Sequence, residues 1–183
     1  MSEFARILAE VVPSLLGSVL EECGFRKQRG LGWRRGSTLE MRIVRDSKAL
    51  DPYRGGAFLL EFEVSDTGRF MVGLAGRARL ARLLDSGQKQ RFLEEQNSLA
   101  ERFEKPSDDY VQSAFRQYVG LIPQYMAVFL PAAEFNQEGW MRFQNRDHLR
   151  EWCGLLVEVL PDLADRASTL DPHKIVLGQD LGW

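Results

Sequence analysis

The chain holds only two histidines and two cysteines among 183 residues, and that scarcity excludes most catalytic and metal-binding constellations. A nucleophilic triad or a histidine-based metal site has few ways to be assembled from His148 and His173. His148 and Cys153 are five positions apart on a predicted helix, about 140° around its axis, and share no face. We read His148 as a first-turn surface residue and His173, after Asp171-Pro172, as a loop residue. Cys23 and Cys153 lack zinc-like spacing, and each falls at an apolar helical position, the place of a buried free thiol in a reducing compartment.

Other absences narrow the class further. No apolar run approaches the roughly 20 residues needed to span a bilayer. Met1 to Arg6 does not read as a signal peptide, because acidic Glu3 stands where a basic leader would be. Gly73, Gly76 and Arg77 precede a helix, yet no Gly-Lys-Ser/Thr ending and no dinucleotide fingerprint follows. With 24 basic against 26 acidic residues there is no whole-surface attraction to nucleic acid or anionic lipid. The expectation is a cytoplasmic protein with no cofactor, no metal and no membrane span.

What is present is patterning. From Phe4 through Ile7, Leu8, Val11, Val12, Leu16 and Leu20 to Cys23, apolar residues recur at three and four residue steps, the stripe of an amphipathic helix. Ser2 is its predicted cap, Pro13 is expected to kink or divide it, and Gly24 with Phe25 predicts a Schellman stop. After Thr38 the period becomes two. Leu39, Met41 and Ile43 alternate with Glu40, Arg42 and Val44, and Phe58, Leu60, Phe62 and Val64 alternate with Leu59, Glu61 and Glu63. Strands with one apolar and one largely charged face predict an antiparallel sheet roofed on one side. Phe25 to Arg35 reads as an edge strand or hairpin with Trp33 turned inward, 69–74 as a further strand, and Trp140 to Phe143 as a short one.

Beyond Gly76 the alphabet is helical. Leu80 to Leu84 and Phe92 to Phe103 predict two segments separated by Gly87, and Pro106-Ser107-Asp108-Asp109 predicts the start of a helix that meets Pro123 and continues or restarts from there to Leu130. Asp147 is the expected cap of a last helix whose stripe ends near Pro161, with an irregular tail pinned by Ile175, Leu177 and Trp183. The predicted fold is one α+β domain over residues 1–183: a helix and an antiparallel sheet of about four strands in 1–74, a mainly helical part in 75–166, and a tail in 167–183. The helices are expected mainly on one sheet face.

Charge is uneven along the chain. Residues 24–54 carry nine bases against three acids, leaving the remainder acidic. Arg26, Lys27, Arg29, Trp33, Arg34 and Arg35 interleave positive charge with an aromatic, as single-stranded nucleic-acid binders do, although an acidic protein partner fits the same patch. Glu61 and Glu63 project from one sheet face opposite Arg42 or Glu40, an arrangement that serves either an acid/base site or cross-strand ion pairing. The stretch Arg45 to Gly56 is long for a hairpin loop, and such loops often carry function.

The string Cys23-Gly24-Phe25-Arg26-Lys27-Gln28-Arg29-Gly30, followed by Trp33-Arg34-Arg35 and by strands separated by Gly55-Gly56, resembles a bacterial domain family of unknown function. Its members open with an N-terminal helix, a Gly-Phe-basic-basic turn and an aromatic-arginine strand. The resemblance covers mainly residues 1–74 and implies an α+β bacterial protein, with no catalytic residue to carry over. Three functional expectations result. The first is a non-enzymatic domain that binds a macromolecule, in the manner of an immunity or inhibitor protein, through the open sheet face and the following loop. Its candidate contacts are Trp33, Arg34, Arg35, Arg42, Tyr53, Arg54, Glu61 and Glu63, with an acidic protein as partner. The others are nucleic-acid binding through Arg26 to Arg35 and an enzyme centred on Glu61 and Glu63.

Overall fold

Helix α1 (Glu3–Glu22) begins where Ser2 accepts the Ala5 amide, and it continues unbroken through Pro13. The proline deletes one backbone bond, but Val12 and Leu16 on either side are fully buried, and that packing holds the turn helical where a kink or break was expected. The helix closes as a Schellman motif: Phe25 N–H reaches Leu20 C=O and Gly24 N–H reaches Glu21 C=O, both at 2.9 Å, with Gly24 at φ +81°. The computed structural model describes residues 2–46, 51, 53–65 and 75–171. The expected strand over 69–74, the tail residues Ile175, Leu177 and Trp183, and His173 lie outside the described residues.

Strands β1 (Arg26–Lys27), β2 (Gly32–Arg35), β3 (Leu39–Arg45), β4 (Gly56–Ser65) and β5 (Ala75–Arg79) follow in chain order, and they stand in that order in one antiparallel sheet. A sixth strand, β6 (Met141–Phe143), pairs with the start of β4. The register sets Met41 opposite Phe62 and Ile43 opposite Leu60, so one face is apolar, and Arg42 opposite Glu61, so the other carries charge. Strand β5 occupies residues the alphabet assigned to a helix approach. Its alternation of Arg77 and Arg79 with Ala78 suits a strand whose small residue faces Phe62.

The helical remainder is α2 (Leu80–Leu83), α3 (Ser86–Arg102), α4 (Asp108–Ala114), α5 (Ile122–Met126) and α6 (Arg146–Ser168). Asp85 and Gln88 form a reciprocal capping box at the start of α3, so the helix break falls before Gly87. The helical stretch expected from Asp108, continuing or restarting at Pro123 to Leu130, is cut into short pieces, with α4 ending at Ala114 and α5 restarting at Ile122. Among 108–130 only Val111, Tyr125 and Phe129 are buried, too sparse an apolar stripe to hold one continuous helix. Asn145, not Asp147, caps α6 by accepting the Asp147 and His148 amides at 3.0 Å, and the helix runs seven residues past Pro161.

Helices α1 and α6 cover the apolar sheet face, and a single cluster of buried side chains extends from Ile7 to Leu170. Arg166 locks α6 to the corner between α2 and α3, donating to Leu83 C=O at 2.6 Å, Gln88 Oε1 at 2.8 Å and Asp85 at 2.9 Å. Among the described residues no helix is long and apolar enough to cross a membrane.

Candidate interaction surface

The charged sheet face is built as two cross-strand rows. Arg34, Glu40, Glu63 and Arg77 form one row across β2 to β5, and Arg42, Glu61 and Arg79 form the next. Arg42 bridges both carboxylates, meeting Glu61 at 3.0 Å and Glu63 more closely still. Arg77 meets Glu63 at 3.1 Å, Arg79 reaches Glu61 at 3.7 Å and also pairs with Glu138, and Arg34 meets Glu40 at 3.2 Å. Four arginines and four glutamates thus neutralise one another. Each exposed pair contributes little in water, and the combined effect is to fix strand register.

This face is only half open. Glu61 is 6% exposed, and Ala57 and Leu59, which share its side of β4, are buried as well. The expectation of a freely accessible reverse face therefore holds only toward Arg34, Glu40 and Arg77. Glu61 and Glu63 lie under arginines on this surface, and among the described residues no group of three or more His, Cys, Asp or Glu side chains is placed to hold a metal ion.

The eight sequence candidates separate. Trp33 is 1% exposed and stands opposite Met41 in the core, as its inward reading requires, so it offers no ring to a partner. Arg35 pairs with Asp165 of α6 at 3.4 Å. Tyr53 packs edge-on against Tyr110 at 4.8 Å. Arg54 is half-buried, and its backbone N–H, like that of Tyr53, donates to the Asp51 carboxylate. Burial and the nearby Asp51 charge push the Tyr110 and Tyr125 hydroxyls above their ordinary range. The candidates on the sheet meet through ion pairs, while Tyr53 and Arg54 belong to a separate group.

The β1–β2 hairpin presents a different surface. Between Gly24 and Leu39 the sequence has no acidic residue. Lys27 secures the turn, its ammonium 3.9 Å from the centre of the Trp33 ring and bonded to Gly30 C=O and Gly32 C=O. Arg26 and Arg29 are exposed and form no ion pair with a described residue. Strand β1 is the sheet edge, and among the described residues no strand pairs with its outer side.

A cavity of about 280 Å³ opens between α3, β6 and the turn Ala127–Phe129. Leu99 of α3, Phe103 just past its end, Val128, Leu130 and Trp152 supply apolar wall, and Gln96, Asn136 and Arg142 supply the polar groups. Sequence reasoning passed over Arg142, although the apolar alternation of Met141 and Phe143 places it on the opposite side of β6. Comparison with protein-family models, with curated proteins and with solved structures finds no match.

His148 is buried, which corrects its reading as a surface residue. Asn145 and Phe103 enclose it, the ring 5.2 Å from that of Phe103, and burial followed by the Arg102 charge holds its pKa below 6.5, against the pull of Glu151 and Asp147. Below about pH 6.5 the unfolded chain takes up this proton before the folded one does, so stability is lost as pH falls through that window and is fully present above it. A His148→Gln variant is expected to flatten the loss between pH 7 and 5. Urea midpoints of both proteins across that range check it.

Proposed function

We propose that the chain is a non-enzymatic protein-binding domain whose partner presents an acidic surface to the β1–β2 hairpin. The observation that carries this reading is the acid-free stretch between Gly24 and Leu39, folded into an edge hairpin that leaves Arg26 and Arg29 without internal counter-ions among the described residues. Arg34 joins them from the neighbouring strand, its ion pair to Glu40 exposed and exchangeable. Such a cluster steers an acidic partner and sets orientation more than it supplies buried area.

Two features favour a protein over a nucleic acid. Trp33 is enclosed in the core, so the hairpin lacks the stacking ring that single-strand binders use. The net charge of −2 repels phosphate everywhere outside this edge. The carboxylates of Glu61 and Glu63 are ion-paired to arginines of the neighbouring strands, which supports a structural role for them over acid/base work. A cytoplasmic setting accords with the two free thiols, that of Cys153 pushed up to about 12 by burial. The resemblance to a bacterial family of unknown function is compatible with a role of this kind.

The test is an Arg26→Glu/Arg29→Glu/Arg34→Glu variant, compared with the native protein by cross-linking and quantitative capture from the source cells. Native protein is expected to capture a saturable partner whose cross-linked surface is acidic, with retention falling at least tenfold in the variant and in high salt. An identical captured set for both proteins sinks the reading. Saturable binding of a single-stranded oligonucleotide instead transfers the hairpin to the nucleic-acid class.

A further inference from the structure

The cavity beside β6 has an apolar wall and one charged group, Arg142, that forms no hydrogen bond or ion pair with a described residue. Its other polar side chains are largely engaged. Asn136 accepts the Gly139 and Trp140 amides at 2.8 and 2.7 Å and donates to Trp140 C=O at 2.8 Å and Gln96 Oε1 at 3.4 Å. The Trp152 indole donates to the Arg142 carbonyl at 2.8 Å. The Arg142 guanidinium forms no hydrogen bond or ion pair with a described residue, although the side chain is half-buried. Burial and then the nearby Arg54 disfavour its charge while Asp46 opposes them, and the Nε of Arg54 is itself buried without a hydrogen-bond partner among the described residues.

Two neighbouring guanidinium groups facing low-dielectric surroundings repel each other and lose hydration. An oxyanion between or beside them reverses both effects, and a guanidinium fork matches the two oxygens of a carboxylate. The walls demand an apolar body attached to that anion. Leu130, at the lip, is 58% exposed, far more than a leucine with internal packing, and an occupant would cover it. The volume of about 280 Å³ lies just below the roughly 300–1,000 Å³ typical of drug-sized sites. It suits a short chain or a bicyclic ring and excludes a long lipid.

We infer that this cavity binds a small amphipathic carboxylate, its head on Arg142 and its apolar body against Leu99, Phe103, Val128 and Trp152. The site is separate from the basic hairpin, and it stands or falls independently of the protein-binding reading. The same chemistry is available from medium-chain fatty acids and from aryl carboxylates, which the measurement distinguishes.

Trp140 and Trp152 line the cavity, so occupancy is read by intrinsic fluorescence and confirmed by calorimetry on the full chain. The probes are octanoate, 2-naphthoate and, as the uncharged counterpart, 1-octanol. One carboxylate is expected to bind saturably with Kd at or below the millimolar range, at least tenfold tighter than 1-octanol. Stronger binding of octanoate than of naphthoate assigns the alkyl source, and the reverse order assigns the aryl source. Arg142→Gln is expected to weaken the preferred carboxylate at least tenfold while leaving 1-octanol unchanged. Ala127 is exposed at the cavity wall, so Ala127→Phe can obstruct the space without entering the core, and it is expected to abolish binding of either probe. The inference is overturned by failure of both carboxylates to bind the native protein, by equal affinity for 1-octanol, or by Ala127→Phe binding as the native chain does.

Discussion

A Gly55→Ala variant is expected to lose about 3 kcal/mol of stability, a combination of left-handed backbone strain and overpacking. At φ +66° the residue occupies the region that side chains disfavour, and a Cβ there would lie 2.9 Å from the Phe143 carbonyl carbon and closer still to its oxygen. The obstruction is backbone, which has no rotamer with which to move aside. Neighbouring Gly56 is confined as well: its Cβ would meet the Phe143 ring at 2.6 Å and Phe4 at 2.9 Å, where Phe4, Phe58 and Phe143 meet edge to face. The Gly-Gly pair is what lets β6 and the start of α1 close over the first residues of β4. Gly30→Ala supplies the control, because Gly30 has a similar φ of +71° but no atom within 4 Å of the added carbon. That variant is expected to lose only about 1 kcal/mol. Thermal unfolding separates the two, since about 3 kcal/mol corresponds to roughly 6–12 °C for a chain of this size.

This glycine pair also shows what a sequence conceals. Its position before an alternating run marks a turn, but the need for close approach arises from Phe143, eighty-seven residues beyond Gly56, and local pattern carries no sign of that pairing. Legibility was high wherever a period spanned several turns or several pleats. The α1 stripe, its Ser2 cap, its Gly24 stop and the β3–β4 faces depend on neighbours in sequence, and all were readable. Strand β5 was not, because arginine and alanine suit a helix by propensity, and pairing with β4, where Glu63 faces Arg77 and Glu61 faces Arg79, selects the extended form. The segment 108–130 was readable at its Ser107 cap and at its restart on Pro123, but between them the propensity is weak, Gly120 interrupts and few side chains find burial, so only short pieces form.

The candidate surface was legible as composition and obscure as geometry. An acid-free basic stretch can be seen in the string of letters, and the hairpin does display Arg26 and Arg29. The roles of Arg42, Glu61 and Glu63 could be narrowed to ion pairing or catalysis, and the register settles their mutual pairing by setting them against Arg77 and Arg79. Arg142 was silent, because an arginine becomes unusual only when its surroundings withhold a counter-ion. Those surroundings come from α6, which follows β6 directly, but also from α3 and the turn after α5, which are remote from β6 in sequence.

Trp33→Ala is expected to lose about 3–5 kcal/mol, the range for truncating a buried large aromatic side chain. The indole is fully enclosed, faces Met41 across the strand and carries the Lys27 ammonium on its ring, so the substitution opens a void at the root of the hairpin and removes the platform that holds Lys27. Trp33→Phe retains a ring and is expected to lose less than half as much. The functional consequence follows from the same geometry. If the hairpin binds through its arginines, the part of the Trp33→Ala population that remains folded at low temperature should engage the acidic partner with little change in affinity, while Arg26→Glu/Arg29→Glu/Arg34→Glu should lose affinity with little change in stability. Urea midpoints and binding isotherms on both proteins therefore move in opposite columns. A Trp33→Ala protein as stable as the native chain, but unable to bind, would return this tryptophan to the surface and the hairpin to the class of stacking nucleic-acid binders.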